Sequence, residues 1–189
     1  MLHLASKSPR RSELLARLGL PFGILDLDIP EQQGATEAAA DYVRRVAREK
    51  AGAGLLDVVA VADAVVLGAD TEVILDGMVF GKPADAVDAA AMLRRLSGQT
   101  HQVITAVAVL SAARELQAVA VSQVSVETLS DADINRYLDT GEWQGKAGGY
   151  AIQGRFEAHV ARLEGSYSGV MGLPLRETAG LLRQVGLLP

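Results

Sequence analysis

The sequence predicts an α/β fold built on a mixed sheet flanked by helices. Short runs rich in Val, Ala and Leu alternate along the chain with stretches of helical periodicity, and that order of elements calls for parallel and antiparallel strand pairs in one sheet. Asp76-Gly77 between two apolar runs is a two-residue hairpin signal. Of the 189 residues, 49% are hydrophobic and 22% charged, enough apolar material for a substantial core.

Residues 2–5 form a short buried strand. Pro9 suits the first turn of a helix with Ser8 as its N-cap, Leu14, Leu15 and Leu18 give the helical spacing, and Gly19 stops it. A second strand follows over 22–27 and a helix over 36–53, where Tyr42, Val43, Val46, Ala47 and Lys50 share a face. The Val- and Ala-rich stretch 58–68 contains a central strand that delivers Asp70 at its end. Residues 72–75 and 78–80 pair across Asp76-Gly77. A helix over 85–96 begins at Asp85 and stops near Gly98; strands 101–110 and 116–129 are joined by a polar turn. Ser130-Asp131-Ala132-Asp133 opens another helix, 141–154 is a glycine-rich loop, 158–163 a strand, and Pro174 at an N1-like position starts the last helix.

Composition excludes several functions. With a net charge of −5 and 4% aromatics, the chain lacks the basic, aromatic surface of a nucleic-acid binder. There is no cysteine, so disulfides, thiol catalysis and cysteine zinc sites are ruled out. His3, His101 and His159 have no metal-ligand spacing. No secretory h-region is present and no apolar stretch is long enough to span a bilayer, so no membrane partner and a cytoplasmic location are the expectation.

Four sets of residues can carry chemistry. Ser6, Ser8, Arg10 and Arg11 sit where a turn enters a helix; free N–H groups there, with hydroxyls and guanidiniums, suit a triphosphate, although a plain serine cap followed by solvated arginines fits the same residues. Asp70 suits a general base or a divalent-cation ligand, or, more simply, a turn residue beside Thr71; Lys82 a hairpin away supplies a cation that favours the first pair of roles. Glu31, Glu49 and Lys50 form a third set, with Lys50 near a helix C-terminus where the dipole favours a cation. In the fourth, Gln153 follows glycines that permit close approach, and its amide matches the N3–H and O4 edge of uracil or thymine; read alone it is a surface glutamine in a loop. Ser166, Tyr167 and Ser168 read as a structural turn and cap.

In order, these residues resemble a known family. Leu4-Ala5-Ser6-Lys7-Ser8-Pro9-Arg10-Arg11 with Glu13-Leu14-Leu15 is similar to the opening signature of the Maf family of nucleoside triphosphate pyrophosphatases. Ala47-Arg48-Glu49-Lys50-Ala51, Gly68-Ala69-Asp70-Thr71, Gly81-Lys82-Pro83, Leu96-Ser97-Gly98, Lys146-Ala147-Gly148 and Gly172-Leu173-Pro174-Leu175 resemble its later blocks. Seven blocks in sequence, across residues 1–189, are specific where each alone is weak. The resemblance implies one domain with a twisted mixed sheet and two lobes around a cleft, similar to the inosine triphosphate pyrophosphatases. It implies hydrolysis of a nucleoside triphosphate to the monophosphate and pyrophosphate, a divalent cation (Mg²⁺ or Mn²⁺), and a homodimer.

Residue by residue, it makes Asp70 the proton acceptor, places Ser8, Arg11, Glu31, Lys50 and Lys82 around the substrate, and gives Asp70 and Glu31 as possible metal ligands. It puts Arg11, Thr71 and Gln153 at the positions that choose the base, and Tyr150-Ala151-Ile152-Gln153-Gly154 resembles the dTTP/UTP branch. The rival readings are the 7-methyl-GTP branch and a nucleotide-binding regulator of cell division without turnover. Arg155-Phe156-Glu157-Ala158-His159 departs from the family pattern, which has small residues and a Phe there.

Overall fold

The computed structural model describes residues 1–189, with a seven-stranded sheet at its centre. Strand β1 (Leu2–Leu4) leads through a turn into helix α1 (Pro9–Ala16), and β2 (Phe22–Ile24) follows, shorter than the 22–27 expected. Helix α2 (Ala39–Asp57) precedes β3 (Val65–Leu75), the hairpin strand β4 (Met78–Phe80) and helix α3 (Ala86–Leu96). Then come β5 (Thr100–Ser111), β6 (Glu115–Val126), α4 (Asp131–Leu138), β7 (Val160–Glu164), α5 (Tyr167–Met171) and α6 (Leu175–Gln184). The sheet order is β2-β1-β3-β5-β6-β7, with β4 on β3; β1 pairs in parallel with β2 and β3, and the other pairs are antiparallel.

Local chemistry explains most of the boundaries. Asp85 caps α3 by accepting the Asp88 N–H, and Ser130 and Asp133 form a reciprocal capping box on α4. Asp76 and Gly77 both have positive φ, 51° and 78°, as a two-residue hairpin turn requires. Helix α2 begins at Ala39 rather than Thr36 because Glu37 is engaged elsewhere, accepting from the Gly34 N–H and from Arg45. It runs past Gly52 and Gly54 to Asp57, and Gly54 packs where a Cβ would come within 2.8 Å of Val66. Pro174 is the N-cap of α6, one position before the expected N1.

Strand β3 differs most from expectation. It continues through Asp70 instead of ending there, because β5 pairs with it from Val65 to Ile74. On its other edge β1 pairs with Val65–Leu67 and β4 with Val73–Leu75. Residues 68–72 therefore have no strand neighbour on that side, and a cleft opens at the gap.

The pleat sorts β3 by parity. Val66, Gly68, Asp70, Glu72 and Ile74 share the face that α2 covers, where Val43, Val46, Ala47 and Ala51 pack with Ile74, Ile104 and Ala108. Leu67, Ala69 and Val73 point the other way, into the larger core with Leu14, Leu15, Leu93, Leu96, Leu181 and Leu182. Gly68 sets how close α2 lies: a Cβ there would sit 2.6 Å from the Ala51 nitrogen and nearer still to the Ala47 carbonyl.

The glycine-rich segment 141–154 contains a 3-10 turn, Ala147–Gly149, and a second such turn, Arg155–His159, covers the unusual segment. Its Phe156 is fully buried against Tyr137 and Tyr150. Tyr150 is tied to the sheet by His101, whose Nε2 lies 2.7 Å from the phenol oxygen. No helix is long and apolar enough to cross a membrane.

Two glycines of similar sequence context should respond oppositely to alanine. Gly68→Ala should destabilise by about 1–3 kcal/mol through overpacking against α2. Gly52→Ala should stabilise by about 0.5–1 kcal/mol, since the nearest atom to its Cβ is 3.9 Å away and helix propensity improves. Denaturant titration of both variants checks the pair. A second expectation concerns acid. Burial pushes the His101 imidazole down to about 4 from its ordinary 6.5. The unfolded chain therefore takes up a proton below pH 6.5 that the folded chain refuses until pH 4, and stability falls as pH drops through that window. The loss from His101 should be about 1 kcal/mol between pH 7.5 and 5.5. In denaturant titrations, the difference in unfolding free energy between the wild-type protein and His101→Gln should shift by that amount between the two pH values, since every other titrating group is common to both.

Candidate active site

The gap beside residues 68–72 opens into a cleft of about 570 Å³. The turn 5–9 and helix α1 form one wall; Glu31 from the loop before α2, Lys50 from α2 and Asp70 from β3 form the floor; Lys82 lies beyond the hairpin, and residues 144–153 and 170–172 close the far side. All eight site residues expected from the sequence, Ser8, Arg11, Glu31, Lys50, Asp70, Thr71, Lys82 and Gln153, line this cleft.

A chain of ion pairs crosses the floor. The Lys50 ammonium lies 2.8 Å from Asp70 Oδ1 and 2.6 Å from Glu31 Oε1, and the Lys82 ammonium lies 2.6 Å from Glu31 Oε2. Lys50 is mid-helix in α2 and 8% exposed, so it does not serve as a C-terminal dipole cation as its sequence position suggested. Lys82 reaches Asp70 only through Glu31 and Lys50, where direct proximity was expected. Glu49 binds Arg45 one turn before it and faces away from this chain. Burial pushes the Glu31 carboxyl up, but the contacts with Lys50 and Lys82 outweigh it and hold the group down to about 2. Asp70 is 3% exposed; its Oδ1 is taken by Lys50, and its Oδ2 is buried without a partner.

Glu72 was not among the expected residues. It stands two positions after Asp70 on the same strand face, is buried, and has an unpartnered Oε2. Burial first, then the neighbouring Asp70 and Glu31 carboxylates, push it up to about 8, so it is a neutral acid at pH 7. The period-2 alternation would have found it had the strand been read through residue 70.

Cations without carboxylate partners gather on the α1 side. Arg11 donates from Nε to the Gly172 carbonyl at 2.8 Å, from Nη1 to Ser6 Oγ at 3.4 Å and from Nη2 to Thr71 Oγ1 at 3.3 Å, all neutral acceptors. Arg10 and Lys146 also line the cleft; burial first, then a neighbouring positive charge, lowers each, from Arg11 for Arg10 and from Arg10 for Lys146. Ser8 is the N-cap of α1 but its side chain makes no capping bond; its own N–H goes to Ser6 Oγ. The first turn of α1 thus keeps free N–H groups at the mouth of a cationic cleft, an arrangement that holds anions. Gln153 is exposed on the opposite wall. Ser166 caps α5 by accepting the Gly169 N–H, so that segment is the turn and cap its sequence indicated.

As a cation site, the floor offers few ligands. No three Asp, Glu or His residues converge on one point. Both oxygens of Glu31 are held by lysines, while Asp70 keeps one oxygen free. A small dication held by one carboxylate and completed by substrate phosphates and water fits such a site.

The chain is similar to several known proteins. A nucleoside triphosphate pyrophosphatase of Xylella fastidiosa is 60% identical over 183 residues, covering 96% of this chain and 97% of that protein. A dTTP/UTP pyrophosphatase of Xanthomonas euvesicatoria is 58% identical over 188 residues, covering 98% of this chain and 99% of that protein. A solved structure of a nucleoside-triphosphatase / dITP/XTP pyrophosphatase from Mycobacterium abscessus overlaps 68% of this chain and 75% of that one, with a TM-score of 0.41 and 20% identity. The family model described as Maf-like protein matches residues 1–185, and with relatives this similar along its whole length the chain belongs to that family.

Proposed function

We propose that this protein is a pyrimidine nucleoside triphosphate pyrophosphatase, which hydrolyses dTTP and UTP to the nucleoside monophosphate and pyrophosphate and so clears nucleotide pools. The observation that carries the reading is the free Oδ2 of Asp70, buried beside Lys50 on the floor of a cleft whose α1 side carries cations without carboxylate partners. The names of the Xylella and Xanthomonas relatives support it. A cytoplasmic setting, where such substrates are found, belongs to the same reading.

In this reading Arg11, Arg10, Lys82 and Lys146 hold the triphosphate, together with the free N–H groups of α1. Lys50 fixes Asp70 through Oδ1, leaving Oδ2 to accept a proton from water. The water oxygen bonds to phosphorus, the anhydride bond between the α- and β-phosphates breaks, and the leaving oxygen departs as phosphate oxygen. Asp70, together with the substrate's phosphates, would hold a Mg²⁺ or Mn²⁺ ion, which would neutralise phosphate charge. Gln153 reads the pyrimidine edge from the opposite wall.

Pyrophosphate release from dTTP, UTP, CTP, GTP and 7-methyl-GTP, with and without divalent cation, tests the whole reading. Fastest turnover of 7-methyl-GTP would move the protein to the other branch, and tight binding without turnover would make it a regulator. Within the reading, Asp70→Asn should lower kcat by at least ~10²-fold while nucleotide binding persists; near-normal turnover by the folded variant would remove Asp70 from the chemistry. Gln153→Ala should reduce kcat/KM for UTP and dTTP by about 1–3 kcal/mol and narrow the preference for UTP over GTP. An unchanged preference would leave Gln153 as a rim residue only.

A further inference from the structure

Among the glycines of segment 141–154, Gly154 stands apart. Gly141, Gly145, Gly148 and Gly149 have φ between 65° and 72°, where glycine is favoured. Gly154 has φ −107° and ψ −157°, extended backbone open to any residue. What excludes a side chain there is Glu142. A Cβ on Gly154 would lie 2.7 Å from the Glu142 Cδ and nearer still to its Oε2. That same Oε2 accepts the Arg155 N–H at 2.8 Å, so the carboxylate lies across the turn just past Gln153. The other end of the turn is held from α4, where the Tyr137 hydroxyl accepts the Ala151 N–H at 2.9 Å; within the turn, the Gly154 N–H closes on the Ala151 carbonyl at 3.0 Å. Glu142 is itself placed by the end of α4. Its N–H donates to Thr140 Oγ1 at 3.1 Å, and the Thr140 hydroxyl donates to the Tyr137 carbonyl at 2.6 Å. Gln153 stands between the two anchors, exposed on the cleft wall.

We infer that Glu142 is a positioning residue: by holding the Arg155 N–H it fixes the turn that presents Gln153, and position 154 is glycine to leave room for that carboxylate. Glu142 touches no substrate in this arrangement and acts only through the backbone of residues 151–155. A turn without this anchor still carries Gln153, but over a range of positions, and the substrate then bears the cost of ordering it on binding. The effect therefore falls on KM and spares kcat, because Asp70 and Lys50 on the cleft floor are held independently. The bond is to main chain, so it needs an acceptor and not a charge. A glutamine oxygen can accept the same N–H, while removing whatever the carboxylate's charge does to the cations Arg10 and Lys146. This rests on the reading of Gln153 as the residue that meets the base.

The experiment uses the full-length protein and the nucleoside triphosphate that the wild type turns over fastest. Glu142→Ala should raise KM by about 3- to 10-fold with kcat nearly unchanged, the size of one lost hydrogen bond. Glu142→Gln, which keeps the acceptor, should hold KM within about 2-fold of wild type. Gly154→Ala, whose methyl group expels the carboxylate, should raise KM as Glu142→Ala does, and it tests the same bond should Glu142→Ala fail to fold. The two combined should bind no worse than either alone, and Glu142→Ala should cost nothing further in a Gln153→Ala background. Hydrogen exchange of the Arg155 amide should quicken in Glu142→Ala and Gly154→Ala and not in Glu142→Gln. Inhibition by inorganic tripolyphosphate, which has no nucleoside, should match wild type in every variant. Wild-type KM in Glu142→Ala, an equal loss in Glu142→Gln, additive losses in either double variant, unchanged amide exchange, or weakened tripolyphosphate inhibition would each overturn the inference. Failure of the underlying reading shows separately, as wild-type kinetics in Gln153→Ala alone.

Discussion

An ammonium group taken out of water must be paired, and the site is organised around that requirement at Lys50. The lysine projects from the middle of α2 onto the face of β3 that carries Asp70, and the two carboxylates it meets come from different parts of the chain. Removing one partner of a buried pair typically costs about 3–5 kcal/mol, because the other charge is left uncompensated. Lys50, Asp70 and Glu31 therefore constrain one another, and Glu31 extends the constraint to Lys82 at the rim. The contact exists only because α2 can lie close to β3, and Gly68 is what permits that closeness.

The same strand shows how an acid can be buried in a sheet and still be useful. Leu67, Ala69 and Val73 are core residues on one face, while Asp70 and Glu72 share the other with Gly68. A carboxylate in the middle of a fully paired strand would be sealed. Here β1 leaves after Leu67 and β4 joins at Val73, so the middle of β3 has one open edge. The cleft is this edge, walled by the turn that leads from β1 into α1.

Elements set by short-range chemistry were legible in the sequence. Asp76-Gly77 specified its hairpin, Ser130 and Asp133 their capping box, and Tyr42, Val43, Val46 and Ala47 the buried face of α2. The residues of the α1 wall of the cleft were legible for a related reason, since Ser6 through Arg11 are contiguous. What escaped depended on pairing at a distance. The strand appeared to end at Asp70 because an acid followed by Thr is turn-like, and only the ladder to β5 keeps it extended; with that boundary misplaced, the buried Glu72 on the same strand face as Asp70 went unread. Gly52 and Gly54 resemble helix breakers, which moved Lys50 toward a helix end it does not occupy. Glu31 sits in a polar loop whose destination no local pattern specifies, and the approach of Glu142 to the Arg155 N–H is a packing contact that periodicity alone does not give.

The bond from Arg11 to the Gly172 carbonyl joins residues 161 positions apart. During synthesis, the turn that walls the cleft leaves the ribosome long before the backbone that orients its guanidinium exists. The β3–β4 hairpin and the long β5–β6 ribbon can form as they emerge, whereas this clasp must wait for the penultimate helix. Until Gly172 has emerged, Arg11 lacks the carbonyl that holds its Nε. A chain cut before α5 would keep Asp70 and Lys50 in sequence but lose the Gly172 carbonyl that orients Arg11 beside them.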